Sequence, residues 1–306
     1  MRESELLHHI AQQAADTAVA WPVVLIGPGD DCAHVRAAPD GTLLTVDQVI
    51  EGRHFVGPLR DRATSIDLVA RKAIARSVSD IAAMAGTPSW ALATAALPSE
   101  WPQELATELF DRMHHWARML GCPLVGGDIA ATPAGTPVVL TTTIGGTPHP
   151  TRGPVRRSTA SVGDHIWVTG GLGGSFASGR HLTFEPRVRE ATSLAHLLGE
   201  RLHAMIDLSD GLGRDAARVG AASGVVLRID GPRVPLHDDA HSPHEGEDYE
   251  LLFTAAADAA LPAHIAGTTL TRIGVVTPAT QGRAGCVVVL ADGTAQDGAD
   301  LGWDHT

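Results

Sequence analysis

Lysine is almost absent: Lys72 is the only one among 306 residues. That absence excludes a Walker-type phosphate loop, whose lysine follows the glycines, and any mechanism needing a lysine elsewhere. Cysteine is scarce too. Cys32, Cys122 and Cys286 are odd in number and far apart, without metal-type spacing, which predicts a reduced, cytoplasmic protein. No apolar run reaches membrane-spanning length, and "MRESELLHHIAQQ" lacks the basic-then-apolar layout of a signal peptide. The expectation is no membrane partner. Basic charge falls short of acidic, 23 against 35, and the net charge of −12 argues against a general nucleic-acid binder.

What is present is apolar content of 44%, enough for buried cores, and 33 glycines with 19 prolines, which imply many turns. The length suits about two domains. Residues 4–18 read as an amphipathic helix. "VVLI" (23–26) and "GTLLTVDQVI" (41–50) read as strands, the first running into the acidic loop "GPGDD". Helical spacing marks 64–85 and 102–120, with strands expected at 90–98, 123–128 and 137–146. The Pro/Gly/Arg-rich 147–164 marks a boundary, giving domains 1–147 and 148–306. Beyond it strand 165–170, helices 187–203 and 212–222, and strands over "VVLRI", "EDYELLFTA", "TRIGVV" and "CVVVLA" are expected. The fold class is α/β (α+β) in two domains.

The aspartates carry the chemistry. Asp30 and Asp31 follow "GPG", Asp47 ends "LLTVD", and Asp80 lies in "SVSDIAAMAG". Asp128 ends "LVGGD", and Asp207 and Asp210 sit in "IDLSDG". Apolar flanks would carry each carboxylate to the mouth of a core element, where ionised groups need cations, and oxygen-only ligands suit Mg²⁺. Each aspartate taken alone also fits a turn or helix cap. "GGLGGSFASG" (170–179) fits either a phosphate-contacting loop or tight packing. Asp215 reads as a solvated helix residue, and His54 fits a structural role. Neither H-E-x-x-H nor G-x-S-x-G occurs.

In this order "GPGDDCAHV", "TVDQVIEGRHF", "KAIARSVSDIAAMAG", "LVGGD", "RSTASVGDHIWVTGGLGGS", "HLTFEPRV", "IDLSDGL" and "GEDYELLFT" resemble the thiamine-monophosphate kinase family. That family belongs to the superfamily of aminoimidazole-ribonucleotide synthetase and selenophosphate synthetase. The resemblance implies a two-domain fold of that superfamily, with N-terminal domains pairing through their β-sheet into a homodimer. It implies Mg²⁺- and ATP-dependent phosphorylation of thiamine monophosphate to thiamine diphosphate. Asp31, Thr45, Val46 (through its backbone), Asp47, Asp80, Asp128, Asp207 and Asp210 match the family's magnesium positions. Gly127, Asp128, Arg157 and Ser209 match nucleotide contacts, and His54, Glu247 and Trp303 match substrate contacts. Four positions depart from the family pattern: Val46 for Thr or Ser, Ser77 for Asn, Ile129 for Thr, and Glu245 for Gly. The departures at Val46, Ile129 and Glu245 are the only support for an alternative, a non-catalytic nucleotide-binding dimer.

Overall fold

The computed structural model describes residues 9, 12, 16–26, 32–60, 63–238, 240–279 and 282–303. Most of the helix expected over 4–18 lies outside these residues, as do Asp30 and Asp31 of the acidic loop. The contacts divide the chain into two compact units: Met1–Ile81 with Thr87–Thr147, and Ala82–Gly86 with Pro148–Thr306. Among the described residues no helix is long and apolar enough to cross a membrane.

In the first unit, β1 (Val24–Ile26) pairs antiparallel with β2 (His34–Val35). The main sheet contains β3 (Leu43–Ile50), β4 (Thr87–Pro98), β5 (Leu124–Thr132) and β6 (Val139–Thr147), in the order β3-β6-β4-β5. Only β4 and β5 run parallel. The connection between them is the helix Gln103–Met119, as a parallel pair requires. That helix buries Ala106, Leu109, Phe110, Met113 and Ala117. A second helix, Ile66–Ala83, opens where the Ser65 hydroxyl accepts the Leu68 N–H. It buries Val69, Ala70, Ala73, Ile74 and Ile81, the spacing that announces it in the sequence.

Side chains alternate across β3, and the alternation sorts the site residues. Thr45, Asp47 and Val49 share one row set with Ile144, Thr142 and Leu140 of β6. Leu44 and Val46 point to the other face and are 66% and 62% exposed.

In the second unit, β7 (His165–Thr169), β8 (Leu202–Asp207), β9 (Val225–Asp230), β10 (Leu251–Ala255), β11 (His264–Ile265), β12 (Thr268–Pro278), β13 (Gly285–Val289) and β14 (Ala295–Asp297) form one sheet. Its order is β14-β13-β9-β12-β7-β10-β8, with β11 added to β12. Both faces are covered. Helix Leu212–Ser223 packs Leu212, Ala216 and Val219 against Ile206, Leu252 and Leu227. Helix Val188–Leu198 packs Ala191, Leu194 and Leu198 with Met205, Leu251 and Phe253. Leu251, Leu252 and Phe253 therefore alternate between two apolar layers, and β10 is buried at every position.

Two expectations change here. The helix expected over 187–203 stops at Leu198, because Gly199 takes φ +53° and the chain then enters β8. The strand expected over 247–255 starts only at Leu251. Glu247 and Tyr249 adopt φ +59° and +53°, which no strand accommodates.

Candidate functional site

In the first unit β3 presents Thr45 and Asp47 on the face covered by helix Ile66–Ala83, which supplies Asp80. The Thr45 hydroxyl donates to Asp80 Oδ2. Asp47 Oδ1 lies 3.4 Å from Arg76 Nε, one turn before Asp80 on the same helix. Asp47 Oδ2 is buried and has no hydrogen-bond partner among the described residues. Burial, and then the nearby Asp80 charge, push the Asp47 carboxyl up to about 6, against the pull of Arg76. The Ser77 hydroxyl also pulls the Asp47 pKa down, without completing a hydrogen bond to Oδ2. A buried carboxylate oxygen so little satisfied, beside a second carboxylate and a hydroxyl, fits a hard divalent cation such as Mg²⁺. Asp31 lies outside the described residues.

The strand alternation separates Asp128 from this group. Asp47, Thr142, Ala93 and Gly127 stand in one register row, whereas Asp128 pairs with Thr94 and Thr141 in the next. Asp128 is therefore exposed on the face that carries Val46. Gly127 has a packing reason of its own: a Cβ there would meet the Ala93 carbonyl oxygen at 1.8 Å. Of the departures, Val46 keeps its side chain off the aspartate face. Ser77 is fully buried, with its hydroxyl on Thr142, whose own hydroxyl reaches the Ala73 carbonyl at 2.5 Å. Ile129 is buried apolar packing.

His54 sits in the turn after β3. Its Nδ1 accepts the Ile50 N–H at 3.0 Å, which leaves Nε2 to carry the proton of a neutral ring. Lys72, the single lysine, is fully buried and donates to the His54 carbonyl at 3.2 Å. It therefore fixes the turn from below.

In the second unit, Asp207 ends β8 opposite Leu251, and the loop through Ser209 and Asp210 leads into helix Leu212–Ser223. Two further segments converge on that loop. Glu247 N–H donates to the Ser209 carbonyl at 2.7 Å, and Tyr249 N–H to the Leu208 carbonyl at 2.8 Å. Trp303 N–H donates to the Asp210 carbonyl at 2.9 Å, while its indole stays 53% exposed. The positive φ of Glu247 and Tyr249, costly for non-glycine residues, is imposed by these bonds. Asp207, Ser209, Asp210, Glu247 and Trp303 thus gather at one end of the sheet. Arg157 does not. Its carbonyl accepts from Ser223 at the far end of helix Leu212–Ser223, whose 12 residues span about 18 Å.

The glycine-rich loop resolves in favour of packing. The Gly173 N–H is taken by both oxygens of Asp248 at 3.0 Å, and the Gly174 N–H by Glu245 at 2.6 Å. Asp248 also accepts from Ser175 at 2.8 Å and Arg180 at 2.9 Å. These amides are filled by the chain's own carboxylates, and Glu245, one of the departures, has a defined partner. A second acidic anchor follows: Arg187 grips Glu250 with Nε at 2.8 Å and a terminal nitrogen at 2.5 Å. Arg187, Glu245 and Asp248 escape a linear reading because their partners lie 63 to 75 positions away. Among the described residues, no three His, Cys, Asp or Glu side chains already form a closed metal cage.

Residues 29–147 match the family described as AIR synthase related protein, N-terminal domain. A thiamine-monophosphate kinase of Rhodopirellula baltica is 35% identical over 278 residues, covering 83% of this chain and 84% of its own. One from Bacillus subtilis is 29% identical, covering 100% and 99%. The solved structure of AaThiL complexed with AMPPCP and TMP superposes with a TM-score of 0.73 at 27% identity, covering 100% of this chain and 99% of that one. The two-unit α/β architecture, the order of its aspartate loops and this likeness along the whole length agree. The chain belongs to the thiamine-monophosphate kinase family.

Proposed function

We propose that this chain transfers the γ-phosphoryl group of ATP to thiamine monophosphate, giving thiamine diphosphate and ADP. The observation that carries the reading is the paired carboxylate group of Asp47 and Asp80, with its buried, partnerless oxygen, in a chain related throughout to kinases of this name. Asp47 and Asp80, with Thr45, would hold Mg²⁺ in the first unit. Asp31 and the Val46 carbonyl are further candidates by resemblance. Asp207 and Asp210 offer carboxylates in the second. Bound magnesium would supply neutralisation of the phosphate oxygens, the main obstacle when two anions meet.

The acceptor is a phosphate monoester, largely dianionic at neutral pH because its second pKa is about 6. It needs no general base, so the reading requires no His–Asp pair beside the acceptor. Transfer is direct and in line, without a phospho-enzyme. Ser209 and Gly127 are proposed nucleotide contacts; Asp128 and Arg157 are proposed by resemblance, at positions set apart within their own units. Trp303, exposed and bonded through its N–H to the Asp210 carbonyl, would stack on the electron-poor rings of thiamine, a contact worth about 1–2 kcal/mol. Glu247, and His54 in the other unit, are proposed as substrate contacts by resemblance alone. The exposed Leu44 and Val46 of β3 support pairing of two copies through this sheet face, in the cytoplasm.

Product analysis by HPLC tests the reading. Purified protein is incubated with ATP, MgCl₂ and thiamine monophosphate, alongside thiamine and EDTA controls. Thiamine diphosphate with stoichiometric ADP, formed only from the monophosphate and only with Mg²⁺, is the expected result. A folded, ATP-binding protein that makes none is the non-catalytic dimer instead.

A further inference from the structure

Asp215 reads in the sequence as a solvated helix residue. The structure buries it completely. Its Oδ2 accepts the backbone N–H of both Ser209, at 3.0 Å, and Asp210, at 2.9 Å. Its Oδ1 receives Arg218 at 2.5 Å, and the other arm of the same guanidinium donates to Asp210 Oδ2, also at 2.5 Å. The four groups close a ring: one buried carboxylate fixes the backbone of two loop residues and, through Arg218, the direction of the Asp210 side chain.

The ring is a poor source of stability as such, because a buried ion pair seldom outperforms well-packed apolar residues. What it supplies is geometry. Gly211, at φ +103°, turns the loop into the helix with the chain at His244 close against it: a Cβ there would meet the His244 carbonyl oxygen at 2.5 Å. On the outside, the Ser209 carbonyl receives Glu247 and the Asp210 carbonyl receives Trp303. Glu247 therefore hangs on the Ser209–Asp210 peptide, whose N–H Asp215 holds from inside, and Trp303 hangs on the carbonyl of Asp210, whose own N–H Asp215 holds.

We propose that Asp215 is a positioning residue for phosphoryl transfer, setting Ser209 and Asp210 for the metal–nucleotide complex through its two amide bonds and the Arg218 tie. The inference rests on the kinase reading above. Asparagine at this position keeps one oxygen that can accept both amides but loses the ionic tie; alanine loses both.

The test measures Mn²⁺ binding by electron paramagnetic resonance in the presence of AMPPCP, together with kcat and KM for ATP, on the full chain. Asp215→Ala is expected to weaken Mn²⁺·AMPPCP binding by about 10-fold or more, as loss of a residue supporting metal ligands commonly does, and to lower kcat. Asp215→Asn is expected to recover most of that binding, a rescue that a purely structural role would not produce in protein already shown to be folded by circular dichroism. Arg218→Met, which spares both amide bonds, is expected to fall between Asp215→Ala and wild type and serves if the alanine variant does not fold. Folded variants that bind Mn²⁺·AMPPCP as wild type does would overturn the inference. A wild-type chain that binds no Mn²⁺·AMPPCP would overturn the kinase reading itself and this inference with it.

Discussion

Replacing Asp47 with asparagine is expected to stabilise the metal-free protein while abolishing turnover. Asp47 is held at about 6 against an ordinary 3.8, first by burial and then by Asp80. That difference penalises the ionised form by about 3 kcal/mol. A raised acid pKa costs nothing at a pH where both states are protonated. The cost grows as pH rises through the unfolded value of about 4, and is complete above the folded value of about 6. Asparagine removes that penalty, in which the attraction of Arg76 at 3.4 Å is already counted, so a net gain of up to about 3 kcal/mol is expected at pH 7.5. At pH 4.5 the penalty itself shrinks to about 1 kcal/mol. Urea denaturation in EDTA at the two pH values reads this directly. Adding Mg²⁺ should then raise the midpoint of the wild type and leave Asp47→Asn nearly unmoved, because a ligand stabilises only the form that binds it. An asparagine variant less stable than wild type at pH 7.5 in EDTA would refute the reasoning, since Asp47 would then be a structural residue.

Gly127→Ala should impair both folding and nucleotide binding, because its Cβ would have to displace the Ala93 carbonyl across β4 and β5; a variant with unchanged thermal midpoint contradicts the register described. Val46→Glu should shift sedimentation toward the monomer while leaving the Asp47 face intact; an unchanged sedimentation coefficient argues for another dimer surface. Ellman's reagent should modify one thiol quickly in the native protein, the exposed Cys32, and three in denaturant. Burial pushes the Cys122 thiol up to about 12 and raises that of Cys286 as well, so fast native modification of a second thiol would show that these cores open.

Much of the architecture was legible because its signals are local. The apolar spacing of Val69, Ala70, Ala73 and Ile74 announces a helix, and Asp207 stands at the end of its strand as expected, whereas Asp47 and Asp128 lie inside β3 and β5, which run on past them. The face of each strand was legible too, through alternation: Val46 beside Asp47, and Asp128 beside Gly127, must point to opposite sides, although motif matching alone groups them together. The rest depends on partners distant in sequence. Nothing near "GEDYE" indicates that Asp248 will cap Gly173 or that Glu250 will be gripped by Arg187. Nor does anything there indicate that the Ser209 and Leu208 carbonyls will take the N–H groups of Glu247 and Tyr249, which stand at positive φ where an apolar alternation predicts strand. Asp215 is a short-range case that was still missed, because a helix position alone does not reveal that its carboxylate turns back to the preceding loop.

Anomalous diffraction from crystals grown with Mn²⁺, AMPPCP and thiamine monophosphate tests the central claim most directly. The expected result is a manganese peak within coordination distance of Asp47 Oδ2 and Asp80, with nucleotide phosphate oxygens among its other ligands. A fully occupied nucleotide with no manganese at Asp47 would contradict it.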